Sequence, residues 1–557
     1  MAKKVVIVGG VAGGATAAVR ARRLDENAEI VLIERGQDVS FANCGLPYHI
    51  GGEIEDRAEL LLQTPARLKA RFSLDVRIRS AVTRIDRGAR RVHVRDLAHH
   101  REYTEDYDAL VLAPGAAPIV PPLPGIDHPA ISTLRNMTDM DRIKELVERG
   151  AQAAIVVGGG FIGLEMAENL RRRGLTVALV EMLPQVMPPL DPEIAARLQR
   201  ELTTHEIALH LADAVTGFED QGGRVRARLK SGAVLDADLV VLAVGVRPES
   251  TLAREAGLTL SERGAIVVDE HMRTSDPHIY AVGDAVQVRD PVLGGETLIP
   301  LAGPANRQAR IAIDNIFGRP TRYRGTFGTS VVRVFRVTAA STGLAEKNLR
   351  QRGIAYKKIY VHRSQHAGYF PGAHPMTIKL LFTPTDGKIL GAQIVGVAGV
   401  DKRIDVLATA QQAGLTVTDL EDLELAYAPQ YGSAKDPVNV AGYVATNALR
   451  GDEDFIDPAE LDDDARPNWT ILDVREPREY EAGHIPGAVL IPLGQLRARW
   501  EEIPNDKPLV VYCAVGQRAY YATRILRAKG LHPRNLAGGF TMYSLCHAQP
   551  PVPGTCG

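Results

Sequence analysis

Four cysteines are spread over 557 residues, and two of them stand where sulfur chemistry is expected. Cys44 lies in Ser40-Phe41-Ala42-Asn43-Cys44-Gly45-Leu46-Pro47-Tyr48, and no second cysteine stands nearby, which excludes a local Cys-x-x-Cys pair. Taken alone, a free cysteine is more often a buried small hydrophobe than a nucleophile. Cys513 follows the apolar run Leu509-Val510-Val511-Tyr512 and opens the loop Cys513-Ala514-Val515-Gly516-Gln517-Arg518, ahead of a helix. Successive backbone N–H groups and a helix start in such a loop stabilise a thiolate and a persulfide anion formed on it. Gly516 permits the tight turn, and Arg518 adds positive charge. Cys546 and Cys556 sit near the prolines of the tail and read as plain surface thiols.

Two glycine turns provide nucleotide sites behind this sulfur chemistry. Lys4 to Val8 reads as a buried strand, Gly9-Gly10-Val11-Ala12-Gly13-Gly14 follows at once, and Ala15 to Leu24 reads as a helix. The next strand, Ile30 to Ile33, ends in Glu34, placed to accept hydrogen bonds from a ribose diol. The same order recurs in Ala154 to Val157, Gly158-Gly159-Gly160-Phe161-Ile162-Gly163, a helix to Arg173, and a strand Val177 to Val180 ending in Glu181. Glycines let the backbone approach a pyrophosphate at a helix start. An acid at the second strand end favours the free 2′-hydroxyl of NADH over the 2′-phosphate of NADPH. Arg171, Arg172 and Arg173 read as solvated helix surface.

Composition bounds the rest. A chain this long divides into several domains. Its 45% hydrophobic and 24% charged residues are ordinary for a soluble protein, and a formal net charge of −1 gives no case for nucleic acid or an anionic membrane. The cysteines have neither disulfide-framework nor metal-ligand spacing, so no metal is expected. The N-terminal apolar run is too short for a signal peptide and no stretch approaches a membrane span, so a cytoplasmic location is the expectation.

Two further stretches carry a resemblance. Tyr107-Asp108-Ala109-Leu110-Val111-Leu112-Ala113-Pro114-Gly115 reads as a strand with a closing loop. Thr274 to Asp284 resembles the second FAD signature of flavoproteins with two dinucleotide domains. With the two glycine turns, the chain over residues 1–450 resembles the pyridine nucleotide-disulfide oxidoreductases of glutathione-reductase-like fold, in the branch of coenzyme A-disulfide reductases, NADH oxidases and NADH peroxidases. The resemblance implies an α/β architecture with two Rossmann-like dinucleotide-binding domains. The FAD domain is expected to be discontinuous, from 1–117 and 246–322, around an NADH domain at 118–245. FAD contacts are expected from Gly9, Gly10, Ala12, Gly13, Glu34 and Arg35 in the first segment. Ala113, Gly115, Gly283, Asp284 and Ala302 complete that set. NADH contacts are expected from Gly158, Gly160, Ile162, Gly163 and Glu181.

Within the branch, Ala12 stands where peroxidases and oxidases carry a histidine, which argues against peroxide or oxygen as acceptor. Thr16, Ser40 and Asn43 instead resemble the coenzyme A-binding members, with coenzyme A as bound ligand or cosubstrate. Arg20 and Arg23 would pair with its phosphates, and Arg71 or Lys69 would give a third basic contact. Arg20 departs from the pattern, since a neutral amide can stand there. Asn306 and Arg307, and Lys435 further on, match other positions facing that ligand.

Residues 323–450 resemble the family's α+β dimerisation domain, which implies a homodimer. Tyr369 and Tyr427 match its two tyrosine motifs, where a hydroxyl would donate to a departing thiolate. The acidic segment 451–465 reads as an exposed linker. Residues 466–557 resemble an α/β rhodanese domain throughout; a tyrosine phosphatase loop would be longer and begin His-Cys, whereas Tyr512 precedes Cys513 here. The fused arrangement implies NADH-dependent reduction, through FAD and Cys44, of coenzyme A persulfide, other persulfides or polysulfide, with Cys513 handling sulfane sulfur. Plain coenzyme A-disulfide reduction and a slow sulfur-binding redox sensor are the alternatives.

Overall fold

The computed structural model describes residues 2–547. Of these, residues 2–184 with 210–328 form one compact unit, and 185–209 with 329–547 a second.

In the first unit, strand β1 (Lys4–Val8) leads through the glycine turn into helix α1 (Ala12–Leu24) and strand β2 (Glu29–Ile33). A short helix α2 (Leu46–Gly51) follows the Cys44 turn, then β3 (Asp75–Arg77) and β4 (Ala109–Leu112). The second glycine-turn domain consists of β5 (Ile131–Thr133), β6 (Ala153–Val157), α3 (Phe161–Arg172), β7 (Thr176–Glu181) and β8 (Leu239–Leu242). The chain then returns through β9 (Ile279–Ala281) and α5 (Ala302–Ile316) to the first sheet; the helix preceding α5 here, α4, is the short Thr251–Glu255. That sheet is parallel in the order β9-β4-β1-β2-β3, so its first strand comes from far along the chain. In the second sheet, β7-β6-β8-β5 also run parallel. The apolar runs follow from this topology. Val5, Val6, Ile7, Leu110 and Val111 are fully buried because the parallel sheet is covered by α1 and by the antiparallel strands within 80–106.

The second unit starts with an antiparallel sheet of β10 (Ser330–Val334), β11 (Val337–Gly343), β12 (Lys357–Ser364), β13 (Pro375–Phe382) and β14 (Ile389–Gly396), ordered β10-β11-β14-β13-β12. Helices α6 (Val400–Ala413) and α7 (Pro437–Arg450) pack on it. The fully buried Lys379 ammonium is surrounded by Asp191 at 2.9 Å, Glu346 at 2.6 Å and Glu193, and so fills the one buried carboxylate trio found among the described residues. No described helix is long and apolar enough to cross a membrane.

The C-terminal sheet is parallel: β15 (Phe455–Ile456), β16 (Thr470–Asp473), β17 (Val489–Leu490), β18 (Leu509–Tyr512) and β19 (Arg534–Leu536), ordered β15-β19-β18-β16-β17. Helix α8 (Gln517–Arg527) follows the Cys513 loop, and α9 (Gly539–Cys546) ends the described chain. Two expectations need correction here. Segment 451–465 is not an exposed linker: Phe455–Ile456 pairs with β19, and Ile456 and Leu461 are buried, because its apolar residues outweigh the flanking aspartates. Cys546 is not a plain surface thiol either. Burial, with nearby Glu193 and Asp457, pushes its pKa up to about 12. Cys556 lies outside the described residues.

Candidate active site

The two glycine turns are built alike. Gly9 and Gly158 have φ of +96° and +108°, and a Cβ on Gly14 or Gly163 would fall within 1.8 Å of the Gly9 or Gly158 carbonyl oxygen. Only glycine allows that packing. The strand-end acids brace both turns. Glu34 Oε2 accepts from Gly10 N at 2.7 Å and its Oε1 from Gly36 N at 2.7 Å. Glu181 likewise accepts from Gly159 N at 2.6 Å and Leu183 N at 2.8 Å. A Cβ placed on Gly115 or Gly160 would meet nothing within 4 Å, so both cradles are open above the backbone, as a dinucleotide requires. Ala12 and Ile162 lie in the first turns of α1 and α3, and Ala113 backs Gly13. Gly283 N donates to Gln308 Oε1 at 2.7 Å, holding the loop that carries Asp284. Arg35 is exposed beside the first turn, and Ala302 is exposed at the start of α5. Arg135 was not singled out from sequence. It donates to the Pro114 carbonyl at 3.3 Å and interacts electrostatically with Glu34, Arg35 and Asp284, so it is a second cation near the first cradle.

Cys44 sits in a 3-10 turn, Asn43–Gly45, that feeds α2. Its sulfur is 3.8 Å from Asn43 Oδ1, which also accepts from Cys44 N at 3.1 Å. Helix α2 lies close on α3 because Gly51 has no Cβ; one would fall 1.9 Å from Asn169 Oδ1. This approach lets the Tyr48 hydroxyl donate to Glu165 Oε1 at 3.2 Å. Burial pushes Glu165 up to about 7, with like-charged Glu168 adding to it. The thiol of Cys44 opens to solvent yet is partly desolvated by its surroundings. That desolvation, with the carboxylates of Glu165 and Asp284, raises its pKa above the ordinary value. The protein itself therefore does not favour the Cys44 thiolate.

The residues expected around a coenzyme A ligand divide into groups. Thr16 Oγ1 donates to Asn306 Oδ1 at 2.7 Å, joining α1 to α5. Arg20 donates from Nε and Nη2 to Asp314 at 2.8 and 2.6 Å, so it is committed within the fold. Arg23 and Arg71 both lie over the Phe72 ring, at 5.9 and 5.6 Å from its centroid, and are exposed. Arg307 is exposed on α5, and Ser40, at φ +47°, donates its N–H to the Gly10 carbonyl at 2.8 Å. In the second unit, Lys435 is exposed, and the Tyr369 and Tyr427 hydroxyls lie 3.0 Å apart on exposed side chains.

Around Cys513 the chemistry is opposite to that at Cys44. The sulfur is buried at the end of β18, and Gly516 N, from a residue at φ +93°, donates to Sγ at 3.2 Å. Arg518 is clamped by Glu479 through bonds of 2.7 and 2.6 Å and also interacts with Cys513. The Arg518 bond holds Glu479 down at about 2, so this ion pair stays charged across the working range of pH.

Comparison with known proteins identifies the domains that carry these two cysteines. Residues 3–309 match the pyridine nucleotide-disulphide oxidoreductase model, 329–436 that family's dimerisation domain, and 457–546 the rhodanese-like domain. A coenzyme A disulfide reductase of Staphylococcus aureus is 35% identical over 444 residues, covering 79% of this chain and 99% of the relative. The reduced CoADR-RHD structure of Bacillus anthracis is 50% identical with a TM-score of 0.96, covering 98% of each chain. An NAD-dependent persulfide reductase structure from A. fulgidus is 39% identical with a TM-score of 0.91, covering 97% of this chain and all of that one. The chain thus belongs to the pyridine nucleotide-disulphide oxidoreductases, as a flavin-dependent disulfide reductase continued by a rhodanese-like domain.

Proposed function

We propose that this protein is a homodimeric, NADH-dependent reductase of persulfides and polysulfide, with coenzyme A persulfide as the best-fitting substrate. The overall change is RSSH + NADH + H⁺ → RSH + H₂S + NAD⁺. The observation that carries the reading is the pairing, in one chain, of a lone thiol at Cys44 with a loop at Cys513 built to hold a sulfur anion. Cys44 attacks the outer sulfur of the bound persulfide; the S–S bond to the carrier breaks, and the carrier leaves as a thiolate. Glu165, close to neutrality in its affinity for a proton, takes the Cys44 proton before attack and returns it to the departing sulfide. Tyr369 and Tyr427 are the hydroxyls offered, across the homodimer, to the leaving thiolate, and Arg23, Arg71 and Arg307 are exposed cations offered to coenzyme A phosphates. The first cradle, with Gly9, Gly10, Glu34 and Asp284, would hold FAD, which would supply from NADH the two electrons needed to free the sulfur from Cys44. Cys513 accepts sulfane sulfur from a donor and passes it on, directly or through coenzyme A.

Reduction of coenzyme A disulfide is a second reading, favoured by the staphylococcal relative, which is matched almost end to end without the C-terminal domain. Steady-state kinetics with both substrates separates the two. A higher kcat/KM for coenzyme A persulfide is expected, and a higher value for the disulfide would overturn the proposal.

A further inference from the structure

Segment 451–465 reaches the Cys513 loop through two buried polar side chains that neither sulfur reaction uses. Glu453, at 3% exposure, accepts a short hydrogen bond from Asn535 Nδ2. The same nitrogen donates to the Gly516 carbonyl at 3.1 Å, and Gly516 N donates to Cys513 Sγ at 3.2 Å. Asn535 is buried on β19 and its Oδ1 has no hydrogen-bond partner, so the amide acts as a double donor between Glu453 and the loop. An orphaned buried oxygen is costly, and the two donated bonds must offset it. The surrounding segment is fixed independently. Asn535 N donates to the Asp454 carbonyl at 2.8 Å, and Arg524 and Arg527 of α8 reach the Asp452 carbonyl at 2.7 and 2.8 Å.

The Gly516 carbonyl also accepts from Tyr520 N at 2.9 Å, as the first bond of α8, so the Asn535 amide is a second anchor on it. A glycine at positive φ rotates more freely than any other residue, and its N–H must stay aimed at the sulfur. We infer that Glu453 and Asn535 are positioning residues for the Cys513 loop: the ionised carboxylate holds the amide, the amide holds the Gly516 carbonyl, and the Gly516 N–H is thereby kept on the sulfur. A charged acceptor binds an amide donor about twice as strongly as a neutral one, so protonation loosens the chain of bonds. Glu453 is poised for this. Burial pushes it up to about 7, against the opposing pull of Asn535, Arg527 and Arg524, while Asp454 adds to the rise. At the sulfur end the charged groups are Arg518 and its partner Glu479, which stays ionised.

The inference rests on the reading of Cys513 as the sulfur carrier, but alkylation of its thiol reports loop geometry without any sulfur transfer. The test is the rate of Cys513 alkylation by iodoacetamide in the full-length flavoprotein, followed by peptide mass spectrometry across the neutral range. Wild type is compared with Glu453→Gln, which mimics the protonated acid, and with Asn535→Leu. The ratio of wild-type to Glu453→Gln rates is expected near one at acid pH, rising to about fivefold at alkaline pH. Its midpoint is expected near pH 7. Asn535→Leu should differ from wild type at every pH. A ratio flat with pH, at one or at any other value, would overturn the inference, as would wild-type rates in Asn535→Leu. Sulfur transfer from thiosulfate to cyanide by the same variants separates the two readings. Transfer unchanged while alkylation shifts would refute Cys513 as carrier and leave the positioning role standing.

Discussion

Cys44, within a 3-10 turn, and Cys513, at the end of a strand, are both single thiols, yet their surroundings are opposite in sign. Cys44 faces the carboxylates of Glu165 and Asp284, which with desolvation raise its pKa. Cys513 faces a backbone donor at 3.2 Å and a clamped guanidinium. The first site is reluctant to hold a sulfur anion by itself, so reactivity there depends on what the two dinucleotide cradles and the substrate bring. The second is equipped in advance. The acids beside them differ in the same way. Glu165 lies at about 7, where a proton is easily exchanged, and Glu479 at about 2, where none is. On the proposed function, one centre moves protons and electrons and the other carries sulfur.

Replacing the exchangeable acid should break this contrast most. Glu165→Gln is expected to lower kcat/KM for persulfide about 10²-fold, the lower end for general acid–base groups. It should also remove the rise in activity through about pH 7, because the carboxylate must be ionised to take the Cys44 proton. A pH–rate profile that keeps that limb in the variant would exclude Glu165 as the proton holder. Next in size, Glu479→Gln frees Arg518 and should slow sulfur transfer at Cys513 about tenfold, as loss of a charge-assisted pair does. Stopped-flow reduction of the flavin by NADH should stay unchanged; a fall there would show that the two centres are not separable.

A smaller effect tests the second cradle. Glu181 should make kcat/KM higher with NADH than with NADPH, and the reverse order would contradict its assignment to the ribose. Tyr369→Phe and Tyr427→Phe should each slow turnover about two- to fivefold without loss of flavin, since each hydroxyl lies beside the other. Unchanged turnover in both variants would remove their proposed role.

What was legible in the sequence was local. Both glycine turns, their strand-end acids and the Cys513 loop are short patterns whose spacing alone implies a strand, a turn and a helix start. What escaped depends on distant pairings. Glu165 meets Tyr48 across 117 residues, Glu479 meets Arg518 across 39, and Glu453 meets Asn535 across 82. Nothing in the local pattern around Glu165 distinguishes it from other acids on an amphipathic helix; the close approach allowed by Gly51 brings it to Tyr48 and within electrostatic reach of Cys44. Arg20 shows the same limit from the other side. Its position on α1 suggested a ligand phosphate, and its partner Asp314 lies 294 residues away. The acidic segment 451–465 misled for a related reason, because its charge was apparent while the sheet edge that takes up Phe455 and Ile456 was not.

The division of labour is tested most directly by measuring NADH oxidation and sulfide release together in Cys44→Ser and Cys513→Ser with coenzyme A persulfide as substrate. Cys44→Ser should abolish both signals, while Cys513→Ser should retain them and lose only the supply of sulfur from an external sulfane donor. Persulfide reduction that survives without Cys44 would contradict the account.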